Sequence, residues 1–388
     1  MKKNNISQKL YIPKELQEII KEYGEKCVDC KQCMIKCPML NDFCNSPKKL
    51  LQELAEGDFD AILPYSCALC DWCSEVCPKG IDFKKIFYSM RKDVAKNHTE
   101  TLKKVRYGVV KYHQKNSFSK IFTANHQPLS KRDDGKVKKV FLPGCSLASY
   151  SPMLVMKTYE YLRNNFNDMG IILKCCGKPT YDMGDVRSFE NYFNSLEQDI
   201  EAMGATEVIV ACENCYKTLS ENYKRGKVKS LWSVMAEKGV PEKVKGSYSN
   251  LNYTFSLHDP CSIRDEKEIH ESVRFILNEI GIKNKEFKFS KDKTSCCGFG
   301  GMIGVTNSDI SKAQMKKRAS EAEGDYIVSY CQSCVEAMNV AGKESVHILD
   351  LIFNEQVIEE NIFKQKDIKT INKWINRYKL KKIIASMK

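Results

Sequence analysis

Eight cysteines between Cys27 and Cys77 fall into two runs with one spacing. The first is Cys27-x-x-Cys30-x-x-Cys33-x-x-x-Cys37-Pro38, and the second is Cys67-x-x-Cys70-x-x-Cys73-x-x-x-Cys77-Pro78. Thiolates so spaced are the ligand set of a bacterial-type iron–sulfur module, in which the fourth cysteine of each run crosses to the other cluster. The spacing therefore assigns one [4Fe–4S] cluster to Cys27, Cys30, Cys33 and Cys77. The other goes to Cys67, Cys70, Cys73 and Cys37. Zinc is the competing reading, but its ligands usually come as two separated pairs, without a compact triplet and a trailing Cys-Pro. Cys44 lies outside both runs and reads as a structural thiol rather than a ligand.

Ten further cysteines form an internal repeat. The first unit has Leu142-Pro143-Gly144-Cys145, Cys175-Cys176-Gly177 and Cys212-Glu213-Asn214-Cys215. The second has His258-Asp259-Pro260-Cys261, Cys296-Cys297-Gly298 and Cys331-Gln332-Ser333-Cys334. Corresponding cysteines are offset by 116 to 121 residues, which predicts two similar subdomains rather than a solenoid. Five thiolates at one site are too many for tetrahedral zinc and one more than a cubane [4Fe–4S] cluster uses. A cluster of unusual shape, or a cubane plus one free thiol, fits the count better than a vicinal disulfide. Gly177 and Gly298 are expected to let the backbone approach a bulky inorganic core, extended by Gly300 and Gly301. The plainer reading is that they only make turns after a strand. His258 can offer a hydrogen bond or proton to the second site, or merely cap a strand end; Asp259 is the weaker candidate. The other histidines show no metal-binding spacing.

The elements that must hold these cysteines are legible in outline. Leu16, Ile19, Ile20 and Tyr23 recur at helical spacing, with Gly24 as a stop. Ser46-Pro47 reads as an N-cap and first-turn proline ahead of Leu50, Leu51 and Leu54, with Gly57 ending that helix. A further helix starts near Asp82 and carries Phe83, Ile86, Phe87 and Met90. In the repeat, short apolar strands end just before the cysteines: Val140–Leu142, Ile171–Leu173 and Val208–Val210, then Tyr253–Leu257 and Tyr326–Val328. Helices are expected from Pro152 towards Phe166 and between Val186 and Met203. Strands alternating with helices imply parallel sheets, whose carboxyl ends gather ligands.

The chain has 388 residues, enough for two or three domains. Nineteen clustered cysteines in a long chain do not read as a secreted disulfide framework. Met1 to Gln17 lacks an apolar core for a signal peptide, and no run of about 18 apolar residues occurs. A reducing cytoplasm is the expected location. The formal net charge is +13. Residues 91–139 hold 14 Lys+Arg against 4 Asp+Glu and residues 363–388 hold 9 against 1, so the remainder is net −5. Such runs can dock acidic partners or anionic lipid, or simply be solvated. No interleaving of aromatic and base-reading residues points to nucleic acid. The tail is expected to be a helix with Ile368, Ile371, Ile375 and Tyr378 on one face and Trp374 beside it. That helix could dock a partner subunit, make peripheral membrane contact, or pack on its own domain.

The pattern Cys…Cys-Cys-Gly…Cys-x-x-Cys, given twice, resembles the cysteine-rich CCG domain of heterodisulfide reductase catalytic subunits. A ferredoxin domain followed by two such units looks like the fused D-type subunit. It is also similar to the iron–sulfur subunits of glycerol-3-phosphate, glycolate and lactate oxidation systems. The helical setting of the first cysteine runs resembles the α-helical ferredoxin domain of succinate-dehydrogenase-type subunits. The resemblance covers roughly residues 15–350. It implies a noncubane [4Fe–4S] cluster on Cys145, Cys175, Cys176, Cys212 and Cys215, and another on Cys261, Cys296, Cys297, Cys331 and Cys334. In the family such a pair can split a disulfide, each half taking one cluster iron. The cysteine intervals are 29 and 35 residues in the first unit and 34 and 33 in the second, so the first gap is short for the family.

The expected fold is therefore α+β and multidomain, an α-helical ferredoxin-like domain followed by two α/β CCG subdomains with parallel strands. The expected boundaries are 14–90, a basic linker at 91–139, CCG subdomains at 140–250 and 251–352, and a basic helical tail at 353–388. No G-x-G-x-x-G opens a helix after a strand, so electrons must come from or go to a flavoprotein or other redox partner. The expected function is an iron–sulfur oxidoreductase subunit that passes electrons to the CCG sites and reduces a disulfide there. The alternative is a non-catalytic electron-transfer subunit of a flavin-dependent 2-hydroxy acid or glycerol-3-phosphate dehydrogenase. An iron–sulfur sensor is the remaining reading, and it needs only one cluster.

Overall fold

The computed structural model describes residues 9–128, 137–363, 365 and 367–387. The amino-terminal region is helical around a single two-stranded pairing. β1 (Lys9–Tyr11) runs antiparallel to β2 (Asp58–Asp60). The helix Pro47–Ala55 begins as its sequence requires: Ser46 Oγ accepts from Lys49 N at 3.1 Å, and Pro47 fills the first turn. Its Leu50, Leu51 and Leu54 are buried, as are Leu16 and Ile20 on the neighbouring helix Lys14–Lys26. Gly24 does not stop that helix, which continues to Lys26 with Gly24 on its buried face. Asp82 caps the helix Phe83–Asn97 by accepting from Lys85 N at 2.8 Å.

Two parallel sheets follow. The first holds β3 (Ala124–His126), β4 (Lys139–Leu142), β5 (Met169–Leu173), β6 (Glu207–Val210) and β7 (Lys227–Ser230) in the order β3-β5-β4-β6-β7. All its pairings are parallel except that of β3. The second holds β8 (Phe255–His258), β9 (Asn284–Glu286), β10 (Tyr326–Ser329) and β11 (Ser345–His347) in the order β11-β10-β8-β9. Without β3 the two orders are the same, so the repeat in the cysteines is a repeat in topology. β4 and β8 lie at equivalent places, as do β6 and β10. Both sheets share one buried core, to which Phe141 and Trp232 contribute from one side and Phe255, Val328 and Leu351 from the other.

Two expectations need correction. The stretch 91–139 is not a plain linker. It finishes the helix Phe83–Asn97, forms helices Thr99–Lys104 and Tyr107–Ser117, and adds β3 to the first sheet. Its helical period is masked because the last helix buries Gln114 and Ser117 alongside Tyr107 and Val110. Asp133-Asp134-Gly135 of that stretch, like residues 1–8, lies outside the described residues. The tail is helical, at Thr370–Ser386, but its buried face is Arg377, Leu380 and Ile384. Ile371, Ile375 and Tyr378 point outward. The anchor is Arg377, whose guanidinium donates to Phe122 O and Ser117 O, so a charged residue sets which face turns inward. The helix packs on the first unit, with Asn376 donating to Ser149 O and Tyr150 O. Among the described residues no helix is long and apolar enough to cross a membrane.

Candidate iron–sulfur relay

The two amino-terminal cysteine runs bend back on themselves in the same way. Asp29 and Leu69 have φ of 52° and 54°, and Lys31 and Asp71 have φ of 61° and 67°. These are equivalent positions in the two runs. Left-handed backbone at non-glycine residues is costly and clusters at functional sites, where it turns N–H groups inward. Cys37 Sγ accepts from Leu40 N and Cys67 Sγ accepts from Leu69 N, each at 3.4 Å. The folding brings Cys37 together with Cys67, Cys70 and Cys73 around one cavity, beside Trp72 and Phe87. Cys27, Cys30, Cys33 and Cys77 line another, which Cys73 also borders. Cys44 lines neither, and its thiol donates to Leu40 O at 3.2 Å. Burial pushes Cys33 and Cys67 up to about 12. Dehydrated, crowded sulfurs of this kind suit metal, because metal binding removes the thiol proton.

In the repeat, the cysteines sit where strands end and helices begin. Cys145 follows β4 and opens the helix Cys145–Tyr150. Cys212 and Cys331 occupy the N-cap positions of helices Glu213–Asn222 and Gln332–Val340, directly after β6 and β10. Within the first set, Cys145 neighbours Cys175, Cys175 neighbours Cys176, and Cys215 neighbours both Cys176 and Cys212, so that each thiol shifts the titration of the next. Within the second, Cys296 neighbours Cys261 and Cys297, and Cys334 neighbours Cys297 and Cys331 in the same way. The Cys334 and Cys297 sulfurs are 3.4 Å apart.

The sites also touch one another. Cys212 of the first set neighbours Cys331 of the second, and the thiols of Cys212 and Cys334 together draw Cys331 down to about 5. Ser146 Oγ and Ser333 Oγ lie 2.9 Å apart beside this junction. The second set reaches the amino-terminal region through Cys296, which lines the same cavity as Cys70. The neighbouring Cys296 thiol, against burial, draws Cys70 down to about 7. Arg264 donates from one Nη to Cys70 O at 3.1 Å and to Thr294 O at 2.8 Å, tying the two regions together. Arg91 is fully buried and donates to Pro64 O, Cys67 O, Asp182 O and Gly301 O.

Gly177 and Gly298 both pack closely against protein. At Gly177 an added Cβ would meet the Phe189 ring at 3.0 Å, and at Gly298 it would meet Ser311 O at 2.8 Å. Both have positive φ and make turns against protein, although Gly298 N also donates to Cys296 Sγ at 3.2 Å. The glycine that faces sulfur is Gly144. A Cβ there would lie 2.6 Å from Cys212 Cβ and 3.5 and 3.6 Å from the Cys212 and Cys215 sulfurs. The space it leaves is bounded by thiols, which fits an inorganic cluster. His258 accepts from Arg318 Nε at its Nδ1, 3.1 Å away, so its proton sits on Nε2. A ring nitrogen of His258 and the Cys297 and Cys334 sulfurs lie within 4.8 Å of one another. Burial holds this imidazole below its ordinary range. Asp259 instead faces Arg274, Tyr330 and Lys291 N and anchors the unit. Gly144, Arg91, Arg264 and the helix Tyr107–Ser117 are not legible as site residues in the sequence; for Gly144 the one signal is its place beside Cys145.

A cysteine-rich domain model, CCG, matches residues 140–220 and again residues 255–339. A 4Fe–4S dicluster domain model matches residues 23–81. The chain is a CCG-domain iron–sulfur protein. This CCG-domain protein is 28% identical over 375 residues to an uncharacterized iron–sulfur protein of Methanocaldococcus jannaschii, across 86% of its own length and 72% of the relative's. It is 23% identical to the D-type subunit of the dihydromethanophenazine:CoB–CoM heterodisulfide reductase of Methanosarcina mazei, with 76% of each chain covered. It is 22% identical to one subunit of the CoM/CoB fumarate reductase of Methanothermobacter marburgensis, covering 83% of this chain and 68% of that one. The dicluster domain carries 4Fe–4S chemistry, and the two cysteine-rich domains indicate further iron–sulfur clusters. It is an iron–sulfur subunit of the oxidoreductase class.

Proposed function

We propose that this CCG-domain protein takes electrons from a redox partner at the Cys27–Cys77 region and uses them to reduce a disulfide at the paired cysteine sets. The observation that carries this reading is the succession of cysteine groups: Cys70 and Cys296 line one cavity, and the two sets of five meet beside the Ser146–Ser333 contact. Bound clusters would supply the one-electron chemistry, held by the eight cysteines of the two amino-terminal runs and by the two sets of five. The net change is one S–S bond broken, two electrons and two protons taken up, and two S–H bonds formed. The electrons come from a reduced partner protein, and a flavoprotein is the class proposed. His258 carries its proton at Nε2 in the neutral imidazole and is placed to donate a hydrogen bond to a nascent thiolate beside Cys297, while the two protons come from solvent. A cavity of about 420 Å³ opens beside the Ser146–Ser333 junction, lined among others by Tyr150, Gln332 and Gln365, and gives a polar approach for the disulfide. We place the protein in the cytoplasm, where thiols stay reduced.

The test is paramagnetic resonance of the oxidised protein with a panel of small thiols. The expected result is a thiol-dependent cluster signal that disappears in Cys145→Ala. If no thiol perturbs any signal while all clusters still reduce reversibly, the protein only transfers electrons.

A further inference from the structure

Cys175 and Cys296 are equivalent in the repeat, each the first of its Cys-Cys pair, yet they meet different neighbours. Cys296 faces Cys70 of the dicluster region. Cys175 faces Gln114, which comes from outside the CCG unit, on the helix Tyr107–Ser117. The Cys175 sulfur and Gln114 Oε1 are 3.4 Å apart, and Gln114 Nε2 has no hydrogen-bond partner among the described residues although the residue is fully buried. These two facts have one resolution. A thiolate can only accept, so half a turn of the amide puts its N–H on the Cys175 sulfur and uses the unpartnered nitrogen.

A second unpartnered donor lies at the end of the same helix. Arg377, on the carboxy-terminal helix, is 1% exposed. Its Nε and one Nη are used by Phe122 O and Ser117 O, while its Nη1 has no partner among the described residues. His113, one residue before Gln114, lies on the same helix. His113 is in turn packed on Trp374, with ring centroids 5.3 Å apart. Two basic stretches, distant in sequence, thus meet at the helix that touches Cys175, and each brings a buried donor without a partner among the described residues.

We propose that Gln114 and Arg377 are positioning residues of the first cysteine set, donating N–H hydrogen bonds to sulfurs of its cluster and thereby raising its reduction potential. This rests on the reading that Cys145, Cys175, Cys176, Cys212 and Cys215 hold a cluster. Hydrogen bonds to sulfur and nearby positive charge stabilise the reduced, more negative state, and so set cluster potentials. On this proposal the first set is the terminal electron acceptor, since the second set is the one that borders the dicluster region through Cys296.

The experiment is a redox titration of the full-length protein followed by paramagnetic resonance, with iron content measured on each sample. Gln114→Leu and Arg377→Met are each expected to shift the first-set midpoint downward, at unchanged iron content, while the other midpoints stay in place. Arg377→Lys should recover part of the shift. An unmoved first-set midpoint at full iron content overturns the proposal. If Arg377→Met fails to fold, Gln114→Leu alone decides. Failure of the underlying reading is separate: Cys145→Ala would then leave every signal and the iron content of the parent protein unchanged.

Discussion

Cys70, in the second amino-terminal run, lines the same cavity as Cys296 of the second CCG unit, 226 positions away in sequence. Two glycines make this approach possible. An added Cβ at Gly300 would lie 2.7 Å from Ala68 O, and one at Gly301 would lie 2.5 Å from Cys67 O. Gly301 also has φ of +60°. Backbone therefore meets backbone at the junction, with no side chain between the two sulfur-bearing loops.

Gly301→Val tests that junction. The substitution combines a left-handed backbone with a clash against a carbonyl, and should cost about 1–3 kcal/mol or more. Denaturant unfolding reads the stability loss. Stopped-flow reduction should show slower reduction of the CCG sites while the dicluster sites reduce at the parent rate.

Arg91 joins three segments through four carbonyl oxygens, those of Pro64, Cys67, Asp182 and Gly301. Arg91→Met would leave these buried acceptors without donors. The loss should be at least ~3 kcal/mol, since each unsatisfied buried group costs roughly 1–3 kcal/mol. Arg91→Lys, with fewer donors and a different shape, should recover only part of it. Calorimetric unfolding of the three proteins checks the order.

Gly144→Ala should empty one site only. Its Cβ would fall on Cys212 at a positive-φ position, where the thiols of the first set converge. With four irons at each of four sites, iron content should drop from about 16 to about 12 per chain. Colorimetric iron analysis of freshly purified protein measures this directly; an unchanged value contradicts the assignment.

His347 gives the protein an acid sensitivity independent of the cysteines. It is fully buried, and desolvation lowers it to about 3. In the unfolded chain it titrates near 6.5. Below that pH the unfolded state binds a proton that the folded state refuses. Stability from this residue is thus complete above about pH 6.5 and falls as pH drops towards 3, by up to ~1.4 kcal/mol per pH unit. His258 and His270, also lowered mainly by desolvation, act in the same direction. His347→Asn keeps an acceptor for Leu349 N, the bond His347 makes through Nδ1. Its melting temperature should fall less steeply than the parent's between pH 6.5 and 5. Parallel slopes would contradict the assignment.

Much of the scaffold is legible in the sequence because it depends on local rules. Ser46, Pro47 and Asp82 mark helix starts by capping chemistry. The strands before Cys145, Cys212 and Cys331 are short apolar runs closed by a turn. The cysteine spacings announce clusters because a ligand loop has its own geometry. What stays hidden depends on packing between distant segments. The helix Tyr107–Ser117 buries Gln114 and Ser117, so hydrophobic periodicity does not reveal it. The isoleucines of the tail suggest one inward face, whereas Arg377 decides another. Gly177 and Gly298 stand out because they adjoin cysteine pairs, but the glycine that makes room among the sulfurs is Gly144.

The central claim is that electrons reach the first cysteine set through Cys70 and Cys296. The direct measurement is rapid-freeze paramagnetic resonance of Cys296→Ala, reduced by a protein donor too large to reach the buried sites. The dicluster signals should appear at the parent rate, and the first-set signal should be delayed at least tenfold or absent. First-set reduction at the parent rate in this variant would contradict the relay.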